Sequence, residues 1–222
     1  DINGDAAAQT AELVQGSGFA VNVADSEAFA RVLEEAVDAL GGCTALVNNA
    51  GVGNLKPFET YSDKEWNLLL DVNLRAVFTA TRTIAPLLVE GGGGSIVNVA
   101  SASGIVPTRG EAPYAAAKAG ALALTKSAAL EYGPTVRVNA VAPGFIHTGL
   151  TSFAVDDDAM RADLESRVPL GRIGVADEVA DVIVFLCSPL ARFMTGQTLV
   201  VDGGSLLVNA QVDPLLQRLL GG

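Results

Sequence analysis

The chain has 222 residues, within the range of one large domain, and half of them are hydrophobic, so a sizeable core can be buried. Acidic residues (25) outnumber lysine and arginine (14), and the net charge of −11 weighs against a nucleic-acid partner, because a phosphate backbone repels such a surface. Two distant cysteines, Cys43 and Cys187, cannot build a disulfide framework or a paired-cysteine zinc site and are expected as buried small hydrophobes. No apolar run reaches the ~18 residues of a membrane span and no secretory leader heads the chain, so the expectation is a cytoplasmic protein without a membrane partner.

In chain order, Asp1-Ile2-Asn3-Gly4 reads as a strand end turning into a helix over 5–15. Short Val- and Ile-rich segments at 19–23, Ala45–Asn48, 95–100, 136–141 and Thr198–Val201 read as strands, several of them apolar without a break, as strands covered on both faces should be. Between them fall helices. In Ser26–Leu40 the apolar Phe29, Val32, Leu33, Ala36, Val37 and Leu40 form one helical face, with Asp25 or Ser26 as cap. Further helices are expected over 62–89, 113–132, 156–166 and Ala176–Cys187. Gly91 to Gly94 lie between a helix and a strand and read as a flexible surface turn. Strand–helix alternation predicts an α/β protein: one doubly wound, three-layer domain over 1–222 with a parallel Rossmann-like sheet. Ligands of such sheets bind beyond the carboxyl ends of the strands.

Four strand-end or helical motifs stand out there. After Ala45–Asn48 come Asn49, Ala50 and Gly51, where small residues let a ligand approach the backbone; a stabilised turn is the structural alternative. After 95–100 comes Ser101, either a turn residue or a hydroxyl facing the ligand crevice. Tyr114 and Lys118 are four apart, adjacent on one helix face. A neighbouring ammonium favours the phenolate, which suits a group exchanging a proton with an alcohol or carbonyl; a tyrosine snorkelling beside a surface lysine is the alternative. Finally Pro143-Gly144 stops a strand and bares the backbone ahead of Ile146, His147 and Thr148. His147 is the single histidine; a metal site needs more ligands, so no metal is expected and His147 reads as a loop residue.

In this order and spacing the motifs resemble the short-chain dehydrogenase/reductase family, from Asp1 to about Gly204. The resemblance rests on Asn48-Asn49-Ala50-Gly51, Asp71-Val72-Asn73, Ser101 with Tyr114 13 positions on and Lys118, Pro143-Gly144, and Thr195-Gly196-Gln197 to Val201-Asp202-Gly203-Gly204. It implies an oxidoreductase that moves a hydride between a nicotinamide cofactor and a secondary alcohol or ketone. Tyr114 would be acid in reduction and base in oxidation. Lys118 would hold the nicotinamide ribose and lower the Tyr114 pKa, and Ser101 would hydrogen-bond the reacting oxygen. Asn73 would interrupt its helix and hold a water in a proton relay; from periodicity alone it reads as a helix-surface residue. Asn49, Ala50 and Gly51 would flank the adenosine side, Asn22 and Val23 the adenine, and Pro143, Gly144, Ile146 and Thr148 the nicotinamide. Asp1, at the end of the family's second strand, would bond the ribose 2′-OH of NAD and repel the 2′-phosphate of NADP, so NAD is expected over NADP.

The family opens with a strand, a Gly-rich loop and a helix that bind pyrophosphate; none of these is in the sequence, and about 30 further residues, the size of a βαβ unit, are expected to precede Asp1. The alternatives are a 3-oxoacyl-thioester reductase using NADPH, a sugar epimerase, disfavoured because 108 residues follow Tyr114, and a non-catalytic binding protein on the same fold. The expected partner is a small alcohol or carbonyl substrate, shaped by the segment 149–168, where Leu150, Phe153, Val155, Met160 and Leu164 suggest an apolar wall and Asp156, Asp157 and Asp158 a solvated helix start. The resemblance implies a homotetramer or homodimer built through the helices around 62–89 and 113–132 and the last strand; the leucine-rich tail 213–220 is a further candidate contact.

Overall fold

The computed structural model describes residues 1–207; the tail 213–220 lies outside them. Helices α1 (Gly4–Val14) and α2 (Ser26–Leu40) come first. Strand β1 (Ala45–Asn48) follows, then α3 (Asp63–Leu70), a π-turn over Asp71–Arg75, and α4 (Ala76–Glu90). Strand β2 (Gly94–Val99) leads to α5 (Ala112–Tyr132), which leads to β3 (Val136–Pro143). The remainder is β4 (Ile146–His147), α6 (Ser152–Val155), α7 (Asp158–Glu165), β5 (Gly174–Val175), α8 (Ala176–Cys187) and β6 (Thr198–Val201).

Strands β1, β2, β3 and β6 form one parallel sheet in that spatial order. Parallel neighbours need crossover helices, which α3–α4, α5 and α8 supply. Alternate residues of each strand face opposite layers. Ile96, Val136 and Val138 meet Ile84, Ala85 and Leu88 of α4 and Ala128 and Ala129 of α5. On the other side Val97 and Val141 meet Val179 and Leu186 of α8. Burial on both faces explains the unbroken apolar strands. The expected three-layer, doubly wound architecture is the one observed.

The register sets the site. Asn48 lies opposite Asn98, and Val99 opposite Val141, so all three strands end at the same edge. Asn48 Nδ2 donates to Asn98 Oδ1 (2.8 Å), and Asn98 Nδ2 to Thr125 Oγ1 (2.8 Å). This buried chain ties β1 to β2 and β2 to α5, just below Asn49, Ser101 and Lys118.

Several expectations need correction. Segment 19–23 joins no sheet and ends in a turn at Val23: two backbone bonds connect it to Asp1, from Asp1 N to Phe19 O (3.1 Å) and from Val21 N to Asp1 O (2.9 Å), too few for a ladder. The helix expected over 62–89 is interrupted by the π-turn, at Asn73 as the resemblance implied. The helix expected over 156–166 starts at Asp158 instead, because Asp157 turns extended and caps α7, its carboxylate accepting from Met160 N (2.8 Å). The cysteines are half-buried rather than fully buried. The glycine run does form a turn, with Gly92 and Gly93 at φ +89° and +124°, before Gly94 starts β2. Strands β4 and β5, of two residues each, were not anticipated; His147 sits on β4 and pairs with Asp156 (3.2 Å).

Candidate active site

A cleft of about 1020 Å³ opens at the carboxyl ends of β1, β2 and β3. Asn49, Gly51, Ser101, Tyr114, Lys118, Pro143, Gly144, Ile146 and Thr148 line it, so nine expected site residues from four chain segments converge. Asn73 sits behind the wall. Ala50 lies between two lining residues. Asp1, Asn22 and Val23 do not line the cleft. Asp1 Oδ1 accepts from Asn3 N (2.8 Å) and Asn22 Oδ1 from Ala24 N (3.1 Å), so both serve local turns.

Tyr114 and Lys118 project from the first turns of α5. Lys118 is 4 % exposed, and its ammonium donates to Val99 O (2.8 Å), at the last residue of β2. An ammonium has three donors. The other two meet no acceptor among the described residues. Burial lowers the Lys118 pKa to about 8, since the charged form loses water. Its Nζ stands 5.6 Å from the Tyr114 ring centroid.

Tyr114 departs from expectation. Burial pushes its phenol above the usual value; the Ser101 hydroxyl opposes the rise and the Glu111 carboxylate adds to it. The expected lowering by Lys118 is not what the structure shows. The ammonium lies over the ring and is bonded to Val99, while the phenol oxygen is desolvated. Tyr114 is therefore a protonated phenol throughout the neutral range, poised to donate. Ser101, two residues beyond β2, is extended and caps a short turn over Ala102–Gly104, and its Oγ accepts from Ser103 N (3.1 Å), which fixes the hydroxyl opposite Tyr114.

Asn73 is fully buried, which corrects the periodicity reading of a surface residue. Its Nδ2 donates to Val52 O (2.8 Å) and Leu69 O (2.9 Å), and its Oδ1 accepts from Val52 N (3.2 Å). The π-turn thereby rotates a polar side chain inward at a helical position, as such turns often do at functional sites. It locks the loop after β1 onto the helix. Gly51 shows how tightly. A Cβ there would lie 3.0 Å from Asn73 Oδ1 and 3.5 Å from Lys118 Nζ, so a side chain would fill the space in front of the ammonium.

The donor set suits a dinucleotide's nicotinamide end: a buried ammonium with two unused donors, a glycine that keeps its approach open, and the bared backbone of Pro143-Gly144. Among the described residues no cluster of three or more histidine, cysteine or carboxylate groups could hold a metal.

Sequence reasoning missed much of the cleft wall. Leu150 and Phe153 line it as expected, whereas Val155 is buried in the local core and Met160 and Leu164 lie outside the lining. The opposite wall comes from Ala176, Val179, Ala180 and Ile183 of α8, a stripe at helical spacing that the sequence presents as ordinary core. Asn54, Leu55, Val106, Thr108, Arg109 and Glu111 complete the rim.

The chain matches, over residues 1–205, the sequence family described as enoyl-(acyl carrier protein) reductase. It is 40% identical over 190 residues to the 3-oxoacyl-[acyl-carrier-protein] reductase FabG of Thermotoga maritima, covering 85% of this chain and 76% of that protein. The Vibrio harveyi FabG is 41% identical over 194 residues, covering 87% and 79%. This chain is a short-chain dehydrogenase/reductase. Among solved structures, a gluconate 5-dehydrogenase from Burkholderia cenocepacia, in complex with NADP and tartrate, superposes with a TM-score of 0.86 at 34% identity, covering 94% of this chain and 84% of that one. An aldohexose dehydrogenase from Thermoplasma acidophilum gives 0.82 at 31% identity, covering 86% and 79%. The short-chain dehydrogenase/reductase is thus a nicotinamide-dependent oxidoreductase with a Rossmann-like domain. Among its described residues no helix is long and apolar enough to cross a membrane.

Proposed function

We propose that this chain reduces a ketone, or oxidises the matching secondary alcohol, with Tyr114 as the group that exchanges the proton. The convergence of Tyr114, Ser101 and Lys118 in one cleft, with Lys118 fixed by Val99, carries this reading. When bound, the nicotinamide cofactor supplies or accepts the hydride at carbon. The rest falls to the protein. Ser101 hydrogen-bonds the carbonyl oxygen and polarises it. Tyr114, kept protonated by burial, donates its proton to that oxygen as negative charge develops. Lys118 offers its two unused donors to the cofactor's ribose hydroxyls. Asn73 is a positioning residue: it holds the loop carrying Gly51 so that the approach to Lys118 stays open.

Pro143, Gly144, Ile146 and Thr148 would hold the nicotinamide end, and Asn49, Ala50 and Gly51 would flank the adenosine side. Asn22 and Val23 remain candidates for the adenine side. We assign Asp1 to the ribose 2′-OH, which favours NAD over NADP. The NADP in the Burkholderia cenocepacia structure marks the opposite choice in that protein. Relative kcat/KM for NADH and NADPH decides: preference for NADPH removes the Asp1 assignment. The substrate segment is 149–168 within a single domain spanning 1–222, and a cytoplasmic homotetramer or homodimer remains the expected form.

A second reading, reduction of a 3-oxoacyl thioester, is favoured by the identity to the two FabG proteins. The test common to both is Tyr114→Phe, expected to lower turnover by about 1000-fold, within the range for a lost proton donor, while NADH still binds. Substantial residual turnover would remove Tyr114 as donor.

A further inference from the structure

The charge of the cleft is opposite to that of the chain. Acidic residues outnumber basic ones 25 to 14 overall. The cleft lining contains three charged residues, Arg109, Glu111 and Lys118, hence two cations to one carboxylate. Lys118 is buried at the catalytic end. Arg109 stands exposed at the rim and joins none of the ion pairs among the described residues. The one opposing carboxylate, Glu111, accepts from the Thr108 hydroxyl and keeps its charge, so the cleft lining carries a net excess of one cation.

The loop that presents Arg109 is held on both sides. Gly110 adopts φ +86°, a conformation unfavourable to other residues. Its carbonyl accepts from Lys56 N (3.0 Å) and from the Tyr61 hydroxyl (2.7 Å). Lys56 is in turn paired with Glu65 (2.7 Å), so that cation is spent. The 21-residue helix α5 begins two residues beyond Gly110, with no side chain capping its amides. Its positive end adds to the potential beside Arg109. Much of the cleft lining is apolar, with Leu55, Val106, Phe145, Leu150, Phe153 and Ile183 among it.

We propose that the substrate is amphipathic, with a remote anionic head, a carboxylate or a phosphate ester, bound by Arg109 at the rim. An apolar stem then crosses the cleft and places the oxo carbon at Tyr114 and Ser101. The planar guanidinium matches either oxyanion bidentately. A polyhydroxylated chain would leave its hydroxyls against the apolar walls without partners. The inference rests on the reading of Tyr114 and Ser101 as the proton-transfer site.

The test compares 5-oxohexanoate, its methyl ester and 5-oxohexyl phosphate as substrates with reduced cofactor. One of the two anions is expected to exceed the ester in kcat/KM by about tenfold or more at low salt, with the advantage shrinking as ionic strength rises. Which anion leads identifies the head group. Arg109→Gln should bring the anion-to-ester ratio close to one, and Arg109→Lys should retain part of it. Calorimetric binding to Tyr114→Phe separates the two readings. Arg109-dependent binding of an anion with no turnover of any probe upholds the anchor and sinks hydride transfer to ketones. Equal turnover of ester and both anions, a ratio unmoved by Arg109→Gln, or failure of both anions to bind or turn over overturns the anchor.

Discussion

Replacing Lys118 with methionine isolates what a buried functional charge costs. The ammonium is 4 % exposed and its pKa lies near 8 in the folded protein, against 10.5 ordinarily. The unfolded chain therefore holds the proton more tightly. The folded state is penalised wherever the lysine is charged in the unfolded chain, and stability rises as pH increases from about 8 toward 10.5. Each unit is worth about 1.4 kcal/mol, so the penalty is roughly 3 kcal/mol at pH 7 and roughly 1 kcal/mol at pH 10. Lys118→Met abolishes it, keeps the volume, and orphans Val99 O at a cost of about 1–2 kcal/mol. The variant should thus be inactive yet about 1–2 kcal/mol more stable than the parent at pH 7. By pH 10 the parent should have caught up by about 2 kcal/mol. Urea unfolding of both proteins across pH 7–10 reads the difference, in which all other titrations cancel. A gap that does not change with pH, or a variant several kcal/mol less stable at pH 7, would refute the claim that Lys118 is held charged in a desolvated site.

Three further outcomes follow from the same geometry. Asn73→Leu removes three hydrogen bonds and leaves Val52 N, Val52 O and Leu69 O unpaired; the cost, about 3–5 kcal/mol, should lower Tm by roughly 10 °C, and a calorimetric shift under 2 °C would count against the locking role. The kcat/KM for ketone reduction should stay level from pH 6 to about 7.5 and decline above about 8 as Lys118 loses its proton, since Tyr114, with its pKa raised, remains protonated there; a profile level to pH 10 contradicts this assignment. Gly51→Val should raise KM for the cofactor by about tenfold or more, because the added carbons occupy the space before the Lys118 ammonium, and should also lower Tm, because the Cβ crowds Asn73 Oδ1 at 3.0 Å; an unchanged KM would show that the approach lies elsewhere.

Much of this was legible in the sequence because the signals were local. Ser26–Leu40 carries a cap at Asp25 and one apolar face, and Ala45–Asn48 is a short apolar run before small residues; both elements begin and end where the pattern does. Tyr114 and Lys118 were placed together by helical spacing alone. What escaped was whatever depends on distant partners. Segment 19–23 has strand composition, but among the described residues its backbone pairs across to Asp1 alone. Periodicity alone does not reveal the π-turn in 62–89, because the apolar stripe runs through it, and the resemblance supplied that expectation; Asn73 turns inward to satisfy Val52, 21 residues away. Arg109 looks like any polar loop residue until Gly110 is fastened to Lys56 and Tyr61. The Tyr114 pKa was misjudged for a related reason. Helical adjacency to Lys118 is a sequence property, whereas desolvation of the phenol is a property of the assembled cleft.

The central claim is hydride transfer at a carbon whose oxygen takes its proton from Tyr114. The most direct measurement is deuterium transfer from 4-deuterated NADH or NADPH to 5-oxohexanoate or its methyl ester, read by mass spectrometry of the alcohol product for the parent and for Tyr114→Phe. The account predicts one deuterium at the carbinol carbon with the parent and about a thousandfold less product with the variant. Equal deuterated product from both proteins, or none from the parent with either cofactor and either probe, would contradict it.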